Sequence, residues 1–196
     1  MAHCFAPSIL RDYDIRGVVG RTLDTADALA LGRSFGTMIR RAGGRSVAVG
    51  YDGRLTSPAL EAALVAGLTA SGVDVVRIGL GPSPMLYHAA ATLEVDGGIQ
   101  VTGSHNPGDH NGFKMLHHCR PVFGAAIRDL ARTAEAGDWE TGSGRITEAP
   151  VLDRYVRRVA AGCAGGLRIG WDAGNGAAGP AIEQLVKLLP GEHHLL

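Results

Sequence analysis

Apolar positions along the chain follow two alternating rhythms. From Asp24 to Arg41 they fall three and four residues apart, placing Leu31, Phe35, Met38 and Ile39 on one face, and Gly43-Gly44 follows. That spacing predicts a helix with a glycine stop. Ser46 to Gly50 is a short apolar run that predicts a buried strand. Thr56-Ser57-Pro58 then reads as a hydroxyl cap with proline in the first turn. Leu60, Leu64 and Leu68 continue that second helix until Gly72. Val73 to Ile78 predicts a strand, Pro84 to Leu93 a helix and Gly98 to Thr102 another strand. Strands alternating with helices of this length build βαβ units. The fold class expected is α/β: a three-layer α/β/α domain with a mixed, mostly parallel sheet.

The rhythm then changes. Gly112 to Leu116 and Arg120 to Phe123 predict two strands of a hairpin, and Ala125 to Ala136 a helix. Gly137 to Pro150 is polar and turn-rich and reads as a linker. Val151 to Ala161 is again helical, with Tyr155, Val156 and Val159 as its expected buried face. Leu167 to Asp172 opens a second α/β unit. Its strand end Gly170-Trp171-Asp172-Ala173-Gly174 echoes Gly50-Tyr51-Asp52-Gly53. A helix over Pro180 to Leu189 follows, and the chain stops at Leu196, where a further strand is expected. One strand and one helix cannot bury a core. The expected division is therefore residues 1–149 as a first domain and 150–196 as the incomplete start of a second, similar domain of a longer protein. The alternative is a last helix docked on the first domain.

Composition narrows the function classes. The 196 residues are 45% hydrophobic and include 29 glycines, which suits a packed core with many tight turns. Nineteen basic residues balance 19 acidic ones. This removes the electrostatic reason for a nucleic-acid or anionic-membrane partner. Three scattered cysteines without a CxxC pair make a poor disulfide framework and fit a reducing, cytoplasmic setting. Met1 to Leu10 lacks the basic and apolar regions of a signal peptide, and no apolar run approaches the roughly 20 residues of a spanning helix.

Three segments carry candidate chemistry. Thr102-Gly103-Ser104-His105-Asn106-Pro107 follows a predicted strand, where α/β folds bind ligands. It presents one hydroxyl beside a histidine on a rigid turn. Read from its residues alone, it is first a turn capped by Ser and Asn, which are ordinary turn residues. Asn111-Gly112-Phe113-Lys114 holds one of only two lysines among the 19 basic residues. Where arginine is the default cation, a lysine suggests an amine that exchanges a proton. Lys187 reads as a solvated helix position. Arg11 to Gly17 lies before the first predicted element, and Arg16 could fork onto an anion or join a surface ion-pair cluster. His105, His110, His117 and His118 lack the spacing of a zinc site. Asp172 to Gly176 could offer amides to an anion but reads first as a tight turn.

Together these segments resemble the α-D-phosphohexomutase family, in its bacterial phosphomannomutase/phosphoglucomutase branch. Tyr13-Asp14-Ile15-Arg16-Gly17 resembles the family's N-terminal signature, Thr102 to Pro107 its phosphoserine loop, and Gly112-Phe113-Lys114 the motif that follows. Tyr51-Asp52-Gly53-Arg54 and Gly81-Pro82-Ser83-Pro84-Met85 also fit, with Ser83 where threonine is common. The resemblance implies a mutase that interconverts hexose 1-phosphate and 6-phosphate, of mannose or glucose, through a bisphosphorylated intermediate. It implies Ser104 as phosphoryl carrier and, through its phosphate, as a Mg²⁺ ligand. Lys114 is then the acid/base and His105 a catalytic neighbour that, with Asn106, holds the loop. Tyr13, Arg16 and Asn106 are implied as substrate-binding residues. A hexose 1,6-bisphosphate is the implied activator, a phosphosugar the partner, and the complete protein a monomer. The family's magnesium loop, Asp-Gly-Asp-x-Asp-Arg, does not occur in this sequence. The chain alone is therefore expected to be inactive. Three other readings remain open: a phosphosugar-binding module, a phosphoglucosamine specificity (against which Gly103 leans, because those proteins resemble Ala there), and a hydrolase using Ser104 and His105.

Overall fold

The computed structural model describes residues 2–196. Its first unit is a sheet of seven strands: β1 (Ile15–Val18), β2 (Ser46–Tyr51), β3 (Asp74–Leu80), β4 (Gly97–Val101), β5 (His110–His117), β6 (Arg120–Pro121) and β7 (Ile146–Glu148). The spatial order is β1-β5-β4-β2-β3-β7, with β6 paired to β5. β2, β3, β4 and β7 pair in parallel, while β5 runs antiparallel to β1, β4 and β6. One strand thus opposes the direction of all the others, as the mixed, mostly parallel sheet requires.

Helices cover both faces. α1 (Thr25–Arg41), α2 (Ser57–Ala70) and α4 (Ala125–Ala136) lie on one side, and α3 (Ser83–Thr92) and α5 (Leu152–Ala160) on the other. Strand alternation assigns the faces. Val47 and Val49 point into the larger core with Phe35, Leu64 and Phe113, while Ala48 points into the smaller one with Ile78, Met85, Leu86 and Val151. Asp24 caps α1, and its carboxylate and that of Asp27 close a reciprocal capping box. α1 and α2 approach closely: a Cβ on Gly32 would strike the carbonyl of Leu64, and one on Gly67 the carbonyl of Leu29.

Several expectations need correction. Residues 15–18, read as preceding any regular element, form β1, because pairing with β5 satisfies their backbone. Thr56 does not cap α2 with its side chain; its hydroxyl accepts from Asn111, and Ser57 turns to Asp52 instead. The segment 137–150 is not a free linker. Trp139 donates to Ser34, Arg33 stacks on the Trp139 ring at 4.6 Å, and Arg41 pairs with Asp138 and Glu140. Residues 146–148 then add β7 to the β3 edge. Of the expected α5 face, Val156 is buried and Tyr155 half-buried, but Val159 is exposed.

The final residues form the strand that the sequence reading places beyond Leu196. β8 (Leu167–Trp171), α6 (Gly179–Leu185) and β9 (Gly191–Leu195) make a βαβ unit with β8 and β9 parallel. Its apolar residues stay largely open, with Leu167 and Leu195 both at least half exposed. Asp172 and Asp52 do the same work after their strands: each accepts a hydrogen bond from the amide two residues on, Gly174 at 2.8 Å and Arg54 at 3.1 Å. No helix among the described residues is long and apolar enough to cross a membrane.

Candidate active site

The parallel strands β2 and β4 end side by side, at Tyr51 and Val101. The residues just beyond, Asp52 and Thr102, open a cleft of about 360 Å³ that Ser104, Arg54, Ser83 and Gly108 also line. Residues 174–177 of the second unit line it as well.

Asp52 is the hub beneath the loop. It is buried, and its carboxylate accepts from the Ser57 hydroxyl at 2.6 Å, the Thr102 hydroxyl at 2.8 Å and the Gly103 amide at 3.1 Å. Buried carboxylates are tolerated when so fully hydrogen-bonded. Ser104 follows with φ +54°, in the left-handed region, and its amide donates to the Thr102 hydroxyl at 2.9 Å. Its side chain is exposed toward the cleft, with Oγ 3.4 Å from Nδ1 of His105. Asn106 closes the turn: both its backbone and side-chain amides donate to the carbonyl of Gly103. Gly103 leaves room for Arg54: a Cβ there would overlap Nε and Cζ, and the guanidinium would have to shift.

The expected cations lie on the β1–β5 edge. Arg16 and Lys114 converge on one carboxylate, Asp14, with Arg16 Nη2 at 2.6 Å and Lys114 Nζ at 3.7 Å from Oδ2. Gly112 stands opposite Arg16 in the register, where a Cβ would strike the backbone of Ile15. Tyr13 is 79% exposed just before β1. The structure therefore gathers Arg16 with Lys114, and Ser104 with His105 and Asn106, as two clusters. Neither Arg16 nor Lys114 hydrogen-bonds Ser104. His110 pairs with Asp109, and His117 packs against His118 at the hairpin turn, away from Ser104.

Asp14, Asp52 and Arg54 are the residues that sequence reasoning did not single out for the site. The signal was available: all three lie in segments that resemble the family, and Asp52-Gly53-Arg54 immediately follows a buried parallel strand. The residues around Ser104 do not fit a magnesium site by themselves. Both oxygens of Asp52 are engaged, and the described residues hold no group of three or more His, Cys, Asp or Glu able to bind a metal. The hydrolase arrangement also lacks a part, since no carboxylate orients His105.

The α/β sheet with a serine turn beyond its central strands defines the class, and comparison defines the family. The sequence model for "Phosphoglucomutase/phosphomannomutase, alpha/beta/alpha domain I" matches residues 7–140. The chain belongs to that family. It is 40% identical over 184 residues to a phosphomannomutase/phosphoglucomutase of Pseudomonas putida, covering 93% of this chain and 40% of that protein. It is 40% identical over 183 residues to a phosphomannomutase of Salmonella typhimurium, covering 88% of this chain and 40% of that protein. A phosphoglucomutase/phosphomannomutase family protein of Burkholderia thailandensis superposes with TM-score 0.93 at 43% identity, over 98% of this chain and 44% of the other. The chain thus spans about 40% of the length of the curated relatives it matches.

Proposed function

We propose that this chain supplies the phosphoserine part of a hexose-phosphate mutase acting on mannose or glucose phosphates. The observation that carries the reading is Ser104 itself: an exposed hydroxyl on a turn braced from below, at the carboxyl ends of parallel strands, within a family match that spans it.

In this reading Ser104 carries a phosphoryl group. The sugar hydroxyl attacks the phosphorus and gives its proton to a base, while the bond to Oγ breaks and Oγ takes up a proton. The bisphosphate then reorients, Oγ returns its proton and attacks the other phosphorus, and the released sugar oxygen takes up a proton. Lys114 is the proposed acid/base, and Arg16 and Tyr13 face the sugar phosphate. Phosphoryl transfer depends mainly on positioning and on neutralising spread charge, which suits this cationic edge. Asn106 also closes the turn through one side-chain N–H, and its remaining side-chain groups keep the proposed place beside the substrate. A Mg²⁺ ion would take from this chain only a phosphoryl oxygen on Ser104. We place the boundary between the two units at 149/150, just past β7.

The test is mass spectrometry of the Ser104 peptide from the complete mutase, before and after incubation with glucose 1,6-bisphosphate. One added phosphate on Ser104, lost in Ser104→Ala, supports the reading. Tight binding of the bisphosphate without transfer shifts it to a phosphosugar-binding module. No binding and no transfer overturns it.

A further inference from the structure

We propose that Arg54 is a positioning residue for Ser104, a clamp whose hydrogen bonds are spent entirely on the protein. This rests on the reading of Ser104 as the phosphoryl carrier. A guanidinium has five N–H donors. Nη1 donates to the carbonyls of Pro107 at 2.6 Å and His110 at 2.9 Å. Nη2 donates to the carbonyls of Ser104 at 3.0 Å and Asn106 at 2.6 Å. Nε lies 3.4 Å from Oδ2 of Asp52. All four Nη donors are taken up by carbonyls and Nε lies beside the Asp52 carboxylate, so neither Nη is free for a substrate phosphate, although Arg54 lines the cleft. A cation at the rim of a phosphosugar cleft would ordinarily be assigned to the ligand; the geometry assigns this one to the loop.

The physical need is specific. Four carbonyl oxygens aimed at one point repel one another unless a cation with a planar fork sits among them. Ser104 also holds a left-handed backbone conformation, which a non-glycine residue keeps only when its surroundings over-determine it. Arg54 on its carbonyl and Thr102 on its amide supply that restraint. Because a trans peptide points C=O and N–H in opposite directions, the planes whose carbonyls face Arg54 turn the amides of His105 and Gly108 away from it. Neither amide donates to another backbone group among the described residues. They are available to phosphoryl oxygens, and Gly108 lines the cleft beside Ser104. Gly103 leaves the guanidinium its place, since a Cβ there would overlap its Nε and Cζ.

The experiment compares the complete mutase with its Arg54→Ala and Arg54→Lys variants, reading amide hydrogen exchange and phosphate uptake on Ser104 from glucose 1,6-bisphosphate. In both variants exchange at Ser104 and Asn106 is expected to rise by at least about tenfold, with amides of β2 and β4 unchanged. Uptake is expected to fall by about 100-fold, the scale of a misplaced reacting group. Lysine keeps the charge but not the fork, so it does not rescue; added guanidinium ions partly rescue Arg54→Ala. Unchanged loop protection, or full rescue by lysine, overturns the clamp. Should Arg54→Ala fail to fold, Arg54→Gln keeps bulk and polarity but not the five-donor fork and is expected to give the same local loss. A wild-type mutase that takes up no phosphate on Ser104 sinks the phosphoserine reading, and the exchange arm still decides whether Arg54 holds the loop.

Discussion

Asp14 and Lys114 face one another across the pairing of β1 with β5, with Oδ2 of the carboxylate 3.7 Å from Nζ. The same oxygen accepts from Arg16 at 2.6 Å. One buried carboxylate therefore sets the spacing of two cations that the sequence places almost 100 residues apart. Asp14→Ala leaves both cations unopposed on a partly buried edge. It is expected to cost about 1–3 kcal/mol, the scale of a lost charge-assisted hydrogen bond. Urea unfolding at low salt measures it; a cost below about 0.5 kcal/mol would place the pair among ordinary surface ion pairs.

Glu61 is fully buried on α2, and Arg77 holds it with two hydrogen bonds, Nε to Oε1 at 2.7 Å and Nη2 to Oε2 at 2.6 Å. These bonds raise the basicity of Arg77 against the opposing effect of burial. Arg77→Met strands a buried carboxylate and is expected to cost about 3–5 kcal/mol, whereas the double change with Glu61→Leu recovers most of it. Denaturant titration of the three variants checks this, and equal costs for single and double changes would contradict it.

Gly32→Ala tests the close approach of α1 and α2. Its Cβ would meet the carbonyl of Leu64, a backbone atom that cannot swing aside. The expected loss is about 1–3 kcal/mol, as for overpacking generally. Gly162→Ala is the control, because nothing lies near its Cβ; it should be neutral or stabilise by up to about 1 kcal/mol. Thermal unfolding of the two variants separates them by sign.

Burial, with help from the adjacent His118, pushes His117 below the ordinary histidine value of 6.5, and burial does the same to His88. A histidine depressed in the folded state binds its proton more readily when unfolded. Stability therefore falls as pH drops below about 6.5, until the folded-state value is passed. Melting temperature is expected to rise between pH 5 and about 7, with a shallower slope in His117→Phe. An identical slope in the variant would remove His117 from the account.

Much of this protein was legible from period and punctuation. The three- and four-residue spacing over 24–41, the apolar runs at 46–50 and 98–102, and the Gly and Pro stops between them specify α/β order, because each is a local preference. The serine turn was legible for the same reason: Thr102 to Pro107 is contiguous, and its resemblance to the phosphoserine loop is confined to one stretch. Pairing was not legible. β1 and β7 are three or four residues long, too short for a period to declare itself, and each exists because a sheet edge satisfies its backbone.

The sequence by itself determined which residue types stand at the ends of strands, and so where a nucleophile and its cations could be. Only the tertiary structure decided what each of them does there. Arg54 became a brace because four carbonyls from a loop 50 residues away close around it, and Asp14 became a shared anchor because β5 lies beside β1. Such roles depend on directions in space between distant segments, and no local propensity encodes a direction.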